Sequence, residues 1–531
     1  MEQEHTPSAA NPPQSEAADG ADRLSALDDA TLHDILARLP LRDAAATTVL
    51  SRRWPRVLAT LPSLILHPAT FNRRDFDDGG DEDYCEDAFR WCDSLEDVLV
   101  HRAAPGAAVE VHGKIMCRFV EWFDEVLHQL CGAGLQKLGI WNTKFNDCYE
   151  VPSPVYRCKT LTSLELFCCR LRVPGTITGL RAVRSLNLRL VVASDNDLHR
   201  VISRCSAVEH LGIHEIHKAR NVVIHAPSLL KLEISSYRPL CISVKKAPRL
   251  DSVKLSLCYG HPEGLWSVHD TQDTDEEYSF SETEEMFDFK KMAKKEHEKT
   301  DEIGNMVTFL SGLGSVKKLR LHLSTEYAEI LCKAKVSMPM KLPSKCHLIG
   351  LKTLILSLDY NHGVLATLVS CLLNSSPNIE NLRIIVSLNN LFVIQLCSTN
   401  LASSKMVFML PVCYQEDFGL FFKRKANHPL PLSEEFWKEQ ISARGVERHL
   451  SSVTYYTNSL FEGHPGGLCQ FLVKKARVLK RMSIQYLPSS KVNPGDGAKL
   501  EAAVRSKLLG WPRASLDVLL EVYPVDHYPR F

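Results

Sequence analysis

A short apolar pattern recurs along most of this 531-residue chain. Each copy reads apolar-x-x-apolar-x-apolar, and between Leu135 and Leu250 successive copies begin 21 to 26 residues apart. The copies are Leu61/Leu64/Leu66, Leu135/Leu138/Ile140, Leu161/Leu164/Leu166, Val183/Leu186/Leu188, Val208/Leu211/Ile213, Leu229/Leu232/Ile234, Leu250/Val253/Leu255, Val316/Leu319/Leu321, Leu351/Leu354/Leu356 and Ile379/Leu382/Ile384. The last two apolar positions of each copy are two residues apart, which places both side chains on the same face of a β-strand.

No single copy can bury its own apolar face, so the copies must stack side by side. Their strands then pair in one sheet, and the return segments cover its outer side. This pattern and period are typical of leucine-rich repeats. The sequence therefore predicts an α/β fold built as a leucine-rich-repeat solenoid, or horseshoe. The asparagine that usually follows the strand is mostly absent, so the sequence does not determine the curvature.

A second pattern lies near the start of the chain, from Arg23 to Trp54, and reads RLSALDDATLHDILARLPLRDAAATTVLSRRW. The aliphatic residues at i, i+3, i+4 and i+7 are Leu32, Ile35, Leu36 and Leu39. That spacing aligns them on one face of a helix. Pro40 should end this helix, and Asp43 is placed to cap a second one. Such short helices bury little by themselves, which predicts a docking module.

This segment resembles an F-box of the plant type that ends in a Ser-Arg-Arg-Trp run. The match covers 39–45, 47–48 and 50–54, and one departure is Asp28 after Leu27, where the family usually has Leu-Pro. The resemblance implies binding to a Skp-type adaptor and, through it, to a cullin–RING ubiquitin ligase. The adaptor contacts that it implies are Leu24, Leu27, Leu32, Ile35, Leu36, Leu39, Pro40, Leu41, Val49, Leu50 and Trp54.

The C-terminal region carries a second resemblance. Leu450 to Tyr455 is predicted as a strand, and a break follows at 465–467. A helical face and then an alternating strand are indicated by Leu468, Phe471, Leu472 and Leu479, and by Met482, Ile484 and Tyr486. This order resembles the FBD domain, a β-α-β element at the C-terminus of many plant F-box/leucine-rich-repeat proteins. It is expected to form one more repeat, whose crossover helix caps the open edge of the sheet.

Together these features predict six segments. They are a disordered tail at 1–21, the F-box at 22–66, a first set of repeats at 67–257, a charged insertion at 258–305, a second set of repeats at 306–430 and the FBD domain at 431–531. The insertion is acid-rich from Asp270 to Asp288 and lysine-rich from Lys290 to Lys299. It is predicted to be a solvated, partly helical or disordered loop.

The composition limits which binding partners and which cellular compartment are expected. The chain has 63 Lys and Arg and 63 Asp and Glu, so its charge gives no argument for nucleic acid or a membrane as the main partner. No apolar run approaches the roughly 18 residues of a membrane helix, and the acidic N-terminus is unlike a signal peptide. The 17 cysteines include no CxxC pair, which favours reduced thiols in the cytoplasm or nucleus. The adjacent Cys168 and Cys169 are predicted to be packing residues.

The motifs of common enzyme classes are absent from the sequence, including G-x-S-x-G, the phosphate-binding loop and H-E-x-x-H. His210, His214 and His217 lack acidic or cysteine partners at metal-ligand spacing. The chain is therefore predicted to be non-catalytic and to need no cofactor or metal. An enzyme of unknown motif stays as an alternative that an ordered cofactor would favour.

Residues between the inward-facing apolar positions are expected on the concave face of the sheet. They are Ser163/Glu165, Ser185/Asn187, His210/Gly212, Lys231/Glu233, Ser252/Lys254, Lys318/Arg320, Thr353/Ile355 and Asn381/Arg383. The later strands contribute a basic patch of Lys254, Lys318, Arg320 and Arg383, which suits an acidic or phosphorylated segment of a protein substrate. The alternative is that these are solvated strand positions.

The predicted function is the substrate-recognition subunit of an SCF (Skp-type adaptor, cullin and F-box) ubiquitin ligase. The alternative is a repeat scaffold that is not coupled to degradation. Three expectations follow. Aspartate at Leu36 and Leu39 should abolish adaptor binding while the repeats stay folded. Leu186 and Leu211 should be buried in adjacent repeats. The acidic run, with Ser279, Ser281 and Thr283 as potential phosphorylation sites, should be able to cover the basic patch and weaken its binding of acidic partners.

Overall fold

One parallel β-sheet, in which most strands follow one another in chain order, organises the protein. The computed structural model describes residues 26–39, 41–61, 63–66, 108–113, 120–142, 148–238, 240–258, 301–332, 337–358, 362–385, 432–442, 444–457, 467–486 and 494–525. The main sheet runs β1-β2-β3-β5-β7-β8-β10-β12-β13-β14-β15-β16-β17-β18, with β4 and β6 beside it, and β9 and β11 form a separate parallel pair. This is the mixed α/β architecture with a parallel sheet that leucine-rich repeats produce.

The strands are short, with two to nine residues each. They are β1 Ser63–Leu66, β2 Ala108–Gly113, β3 Lys137–Asn142, β4 Tyr149–Glu150, β5 Ser163–Phe167, β6 Cys169–Arg170, β7 Ser185–Ala193, β8 His210–Lys218, β9 Asn221–His225, β10 Lys231–Ser236, β11 Cys241–Lys246, β12 Ser252–Leu257, β13 Lys318–Leu323, β14 Thr353–Ser357, β15 Asn381–Ile385, β16 Ser452–Thr457, β17 Arg481–Tyr486 and β18 Leu519–Pro524.

Helices occupy the segment before the sheet and many of the connections between its strands. They are α1 Asp29–Leu36, α2 Leu41–Ala46, α3 Trp54–Ala59, α4 Val120–Gly132, α5 Ser153–Arg157, α6 Asp195–Arg204, α7 Glu302–Ser311, α8 Thr325–Cys332, α9 Gly363–Ser375, α10 Glu434–Gln440, α11 Arg444–His449, α12 Gly467–Lys475 and α13 Pro494–Leu509, with 3₁₀ turns at Thr47–Val49 and Ser344–Cys346.

The register of the sheet superimposes the apolar positions of successive repeats. Leu186 pairs laterally with Leu164 on one side and Leu211 on the other. Leu186 is 0% exposed and Leu211 is 2% exposed, which confirms that both are buried in adjacent repeats. The same rows of buried side chains continue through β10, β12, β13, β14 and β15. Each repeat thus covers the apolar face of its neighbour.

Three neighbouring repeats have a left-handed residue within the strand or directly after it. Cys168, Leu190 and Glu215 have φ values of 52°, 52° and 53° and each lies two positions after the last buried residue of its pattern. Left-handed backbone is unfavourable for residues other than glycine, so the surrounding structure must hold it in place. In the preceding repeat the buried Asn142 side chain donates from Nδ2 to the Cys168 carbonyl at 3.2 Å. Cys169 is also buried, as expected of a packing residue, and its thiol donates to the Phe167 carbonyl at 3.3 Å.

The C-terminal strands extend the same sheet. The predicted strand–helix–strand element is present as β16, α12 and β17. Leu479 lies beyond the end of α12, so its predicted place on that helix is wrong; it is instead the first buried residue of the Leu479/Met482/Ile484 repeat pattern. A further strand, β18, pairs with β17 and was not predicted. Among the described residues, β18 is therefore the element at this edge of the sheet. The crossover helix was predicted to cap the edge, but it is a strand that lies there.

Residues 26–61, the N-terminal helical module, have a small core of their own. Leu32, Leu36, Ala44, Trp54, Val57 and Leu61 form it, and Leu27 and Ile35 are packed against it. α1 ends at Leu36, before Pro40, and α2 begins at Leu41. Asp43 therefore lies in the first turn of α2 and does not cap it. Its carboxylate still lies at the positive end of the helix dipole.

Candidate functional site

The face of the sheet opposite the leucine rows, here called the open face, carries three lateral rows of side chains. The first and second rows contain the residues that the sequence placed on the concave face. The second row runs Glu165, Asn187, Gly212, Glu233, Lys254, Arg320, Ile355 and Arg383. Because parallel pairing aligns equivalent positions, each of these residues lies beside the corresponding residues of the adjacent strands.

The register brings the predicted basic residues together. Lys254 on β12 pairs with Arg320 on β13, and only Ile355 separates Arg320 from Arg383 in the second row. Lys318 lies in the first row of β13. Burial, together with the nearby charges of Arg320 and Arg383, lowers the pKa of Lys318. The four side chains therefore form one cationic area, named here the basic patch.

Acidic residues border the basic patch on the earlier strands. The Lys231 ammonium is 2.6 Å from Oε1 of Glu233. Burial raises the pKa of Glu233, but the hydrogen bond and charge of Lys231 and the charge of Lys254 outweigh it, so the pKa is lowered. Among the described residues, no ion pair involves Arg320 or Arg383, and Nε of Arg320 is buried without a hydrogen-bond partner. Arg320 and Arg383 therefore keep a positive charge that no carboxylate of the described residues pairs with.

The third row, one position after the last buried residue of each pattern, was missed by the sequence reasoning. It runs Trp141, Phe167, Arg189, His214, Ser235, Ser256, His322, Ser357 and Ile385. The signal was available, because the strand alternation that places two residues on this face also places a third one there. Only the residues between the apolar positions were predicted to lie on this face.

Two histidines of the third row have serine partners on the next strand. Nδ1 of His214 is 3.0 Å from Oγ of Ser235, and Nδ1 of His322 is 2.8 Å from Oγ of Ser357. Burial and the positive charges of Arg189 and Lys254 lower the pKa of His214 to about 4. Burial and the charge of Lys254 lower the pKa of His322 to about 4. Both imidazoles are therefore neutral at physiological pH, and the positive potential of this face comes from Arg and Lys.

The residues implied to contact an adaptor divide into two groups in the N-terminal helical module. Leu32, Leu36 and Trp54 are buried in the core of the module itself. Leu39, Val49 and Leu50 are 38%, 86% and 56% exposed. These three are large apolar side chains that the module leaves exposed. Leu24 and Pro40 lie outside the described residues, as does the side chain of Leu41.

Several sequence predictions fall on other parts of the chain that are outside the described residues. They are the tail at 1–21 and, within the predicted insertion and second set of repeats, residues 259–300 and 386–430. α7 begins at Glu302, with the Asp301 side chain accepting the Gly304 N–H at 2.9 Å. The last residues assigned to the insertion, 302–305, are therefore helical.

No cluster of three or more His, Cys, Asp or Glu residues suited to a metal ion occurs in the described part of the chain. His210, His214 and His217 all lie on β8, and burial lowers the pKa of His217 to about 4. Of the helices that are described, none combines the length and apolarity needed to cross a membrane.

The repeating strands, their buried leucine rows and the polar open face define a leucine-rich-repeat protein. A family model described as the leucine-rich repeats of FBD-associated F-box protein At5g56370 matches residues 123–268. The chain is 28% identical over 193 residues to the F-box/FBD/LRR-repeat protein At5g25850 of Arabidopsis thaliana, covering 36% of this chain and 37% of the relative.

Two more Arabidopsis thaliana relatives have similar names. F-box/FBD/LRR-repeat protein At3g26920 is 27% identical over 220 residues, 40% of this chain and 47% of its own. FBD-associated F-box protein At4g13985 is 26% identical over 264 residues, 45% of this chain and 52% of its own. The chain thus spans about half the length, or less, of these curated relatives. It is related to the plant F-box/FBD/LRR-repeat proteins, which confirms the resemblance seen in its sequence.

Proposed function

We propose that this protein is the substrate-recognition subunit of an SCF ubiquitin ligase. The N-terminal helical module binds a Skp-type adaptor, and through it a cullin, while the repeats bind a protein substrate. The protein itself is non-catalytic: it holds the substrate near ubiquitin carried by another subunit, which accelerates the reaction by proximity. The site of action is the cytoplasm or nucleus.

The observation that carries this proposal is the exposed apolar docking surface on a module with its own buried core. Val49 and Leu50 are adjacent and both more than half exposed. Neighbouring exposed apolar side chains on a helical module are typical of a protein-binding surface. Arg320 and Arg383 of the basic patch support the second half of the proposal, because Arg side chains bind carboxylate and phosphate groups of a substrate.

Replacing Val49 and Leu50 with Asp tests the adaptor interaction. Both side chains are exposed, so the double variant should fold as the unmodified protein does but lose most adaptor binding in a pull-down with a purified Skp-type adaptor. Leu36→Asp is unsuitable for this purpose because Leu36 belongs to the core of the module. A buried carboxylate there would unfold the module and remove binding indirectly.

The matched control places the same two charges on another exposed apolar pair. Leu516 and Leu519 are 89% and 54% exposed, and both lie near the C-terminal edge of the sheet. Leu516→Asp with Leu519→Asp should bind the adaptor normally. Adaptor capture by the Val49/Leu50 variant at the unmodified level would contradict the proposal. If the adaptor binds but no cullin is recovered with it, the protein is a repeat scaffold that is not coupled to degradation.

A further inference from the structure

Strand β7 presents two unpaired polar atoms on the open face. Arg189 is only 9% exposed, and its Nε has no hydrogen-bond partner within the described residues. Oδ1 of Asn187, two residues earlier, is also buried and without a partner there, while Nδ2 of the same amide donates to Glu165 at 3.0 Å. A buried donor and a buried acceptor that stay unpaired cost stability, so a position with both is suited to a ligand.

The lateral neighbours of Arg189 leave its charge without a counter-ion. It lies between Phe167 on β5 and His214 on β8. No carboxylate forms an ion pair with it among the described residues. The positive charges of Arg189 and Lys254 both oppose protonation of His214. A desolvated guanidinium in such a place favours an oxyanion, because charge-assisted hydrogen bonds are stronger where water is excluded.

The acceptor lies against a glycine of the next strand. Asn187 pairs laterally with Gly212, and a Cβ atom on Gly212 would lie only 2.8 Å from Oδ1 of Asn187 and 3.2 Å from Nε2 of His214. The lack of a side chain at Gly212 therefore allows the Asn187 carbonyl to lie there, where it stays without a hydrogen-bond partner among the described residues. Inorganic phosphate is too small to bind both groups at once, because side chains at i and i+2 of a strand are roughly 7 Å apart.

We propose that β7 binds an extended anionic segment of a protein. The guanidinium of Arg189 donates to a carboxylate or phosphate on one ligand residue, and Oδ1 of Asn187 accepts a backbone N–H about two residues away. Side chains at i and i+2 of a strand are roughly 7 Å apart, which matches the repeat of an extended peptide. The inference rests on the proposed function only in taking this segment to belong to the substrate.

An aromatic pair beside Arg189 extends the site. The rings of Trp141 and Phe167 are stacked with centroids 5.6 Å apart and an interplanar angle of 16°. Their row continues directly into Arg189. The pair makes the row apolar on the β5 side of Arg189, which suits an apolar or aromatic residue next to the acidic one.

Short defined peptides test the proposal on the full-length chain. The probes are Ac-Gly-Phe-phosphoSer-Gly-NH₂, Ac-Gly-Phe-Glu-Gly-NH₂ and the uncharged Ac-Gly-Phe-Ser-Gly-NH₂, with inorganic phosphate as a fourth probe. Dissociation constants are measured by calorimetry. We expect at least one of the two anionic peptides to bind at least tenfold more tightly than both the serine peptide and inorganic phosphate. The ranking of phosphoserine against glutamate identifies which oxyanion the site prefers.

Variants of Arg189 separate a binding role from a structural one. Arg189→Met should weaken binding of the anionic peptide at least tenfold without lowering the melting temperature, because it removes a buried unpaired charge. Arg189→Lys keeps the charge and should bind with intermediate affinity. The control is Arg172→Met, at a side chain that is 80% exposed, and it should bind the peptide normally.

Two results would overturn the inference: equal binding of all three peptides, or full binding of the anionic peptide by Arg189→Met. If Arg189→Met lowers the melting temperature, the test is made with Arg189→Lys instead. Unchanged affinity of Arg189→Lys for the anionic peptide would then overturn the inference. Adaptor capture by the N-terminal helical module is measured on the same preparations. If the unmodified protein captures the adaptor but does not bind the anionic peptides, only the inference about this site fails. If it does not capture the adaptor, the proposed function fails.

Discussion

Glu215 is an ionisable side chain in an unusual position. It has a left-handed backbone, with φ 53°, inside strand β8. Its carboxylate accepts the backbone N–H of Tyr237 at 2.9 Å. Burial raises the pKa of Glu215 to about 8, although the Tyr237 hydrogen bond and the charge of Arg238 act in the opposite direction. The folded chain therefore favours the protonated form of the Glu215 carboxyl group.

The sign of the resulting pH dependence is fixed by the unfolded state. Between about pH 4.5 and pH 8 an unfolded Glu has lost its proton while the folded Glu215 retains it, so ionisation favours unfolding as pH rises. Glu215→Gln keeps an acceptor for Tyr237 and does not titrate. Its unfolding free energy, relative to the unmodified protein, should increase across this window by at most about 1.4 kcal/mol per pH unit.

Urea unfolding at pH 5, 6.5 and 8 measures this difference. Other titrating groups, such as the buried His214 and His322, are common to both proteins and cancel in the comparison. Glu209→Gln is the control for removing a carboxylate from the same strand region, because the Glu209 side chain is 35% exposed and its ion pair with Arg184 is 4.0 Å long. A pH-independent difference for Glu215→Gln would show that burial of this carboxyl has no net effect.

At the scale of single elements, α6 shows how the connecting helices are anchored. The Ser194 hydroxyl caps the helix by accepting the Asp197 N–H at 3.1 Å, and it donates to the Asp197 carboxylate at 2.7 Å. Asp195 holds the following strand β9, because its Oδ1 accepts the N–H groups of Arg220 and Asn221 at 2.7 and 3.0 Å. The first turn of α6 is thus tied both to its own backbone and to the next repeat.

Removing the cap should have a measurable and local cost. Ser194→Ala leaves the Asp197 N–H without this partner and should lower the unfolding free energy by about 1 kcal/mol. The control is Ser206→Ala, at an exposed serine just beyond the same helix, which should change stability by less than about 0.5 kcal/mol. Thermal or urea unfolding checks both variants. Equal effects of the two substitutions would mean that the hydroxyl of Ser194 does not cap α6.

Across the whole molecule, each repeat depends on its neighbours for its buried surface. Leu186 and Leu211 are directly paired in adjacent strands, whereas Leu354 belongs to β14, further along the sheet. All three are buried. In a stacked array, the effects of substitutions on the unfolding free energy are therefore expected to be strongly coupled between adjacent repeats and weakly coupled between distant ones.

Alanine substitutions measure this coupling directly. Leu186→Ala and Leu211→Ala should each lower the unfolding free energy by about 2 to 5 kcal/mol. Combined, they should deviate from additivity by at least about 0.5 kcal/mol, because their cavities adjoin. Leu186→Ala combined with Leu354→Ala should be additive within about 0.5 kcal/mol. Full additivity of the adjacent pair, seen in urea unfolding, would mean that the two sites do not share a cavity.

The sequence predicted buried residues well where the apolar pattern is local. It predicted them poorly where burial depends on contacts between separate elements. The leucine spacing correctly placed Leu186 and Leu211 in the core. In the N-terminal helical module, the same kind of spacing put Leu36 and Leu39 on one face, yet only Leu36 is buried in the module's own core. Which apolar residues such a module covers by itself depends on how its short helices pack, and periodicity does not contain that information.

The sequence by itself determined the repeat, the strand positions and the rows of buried leucines, because a strand must place alternate residues on one face and an apolar row must be covered. Only the tertiary structure decided what those strands bring together. Lateral register places Arg189 between Phe167 and His214, and Asn187 beside Gly212. These residues come from different repeats, so it is the alignment of neighbouring strands that brings them together.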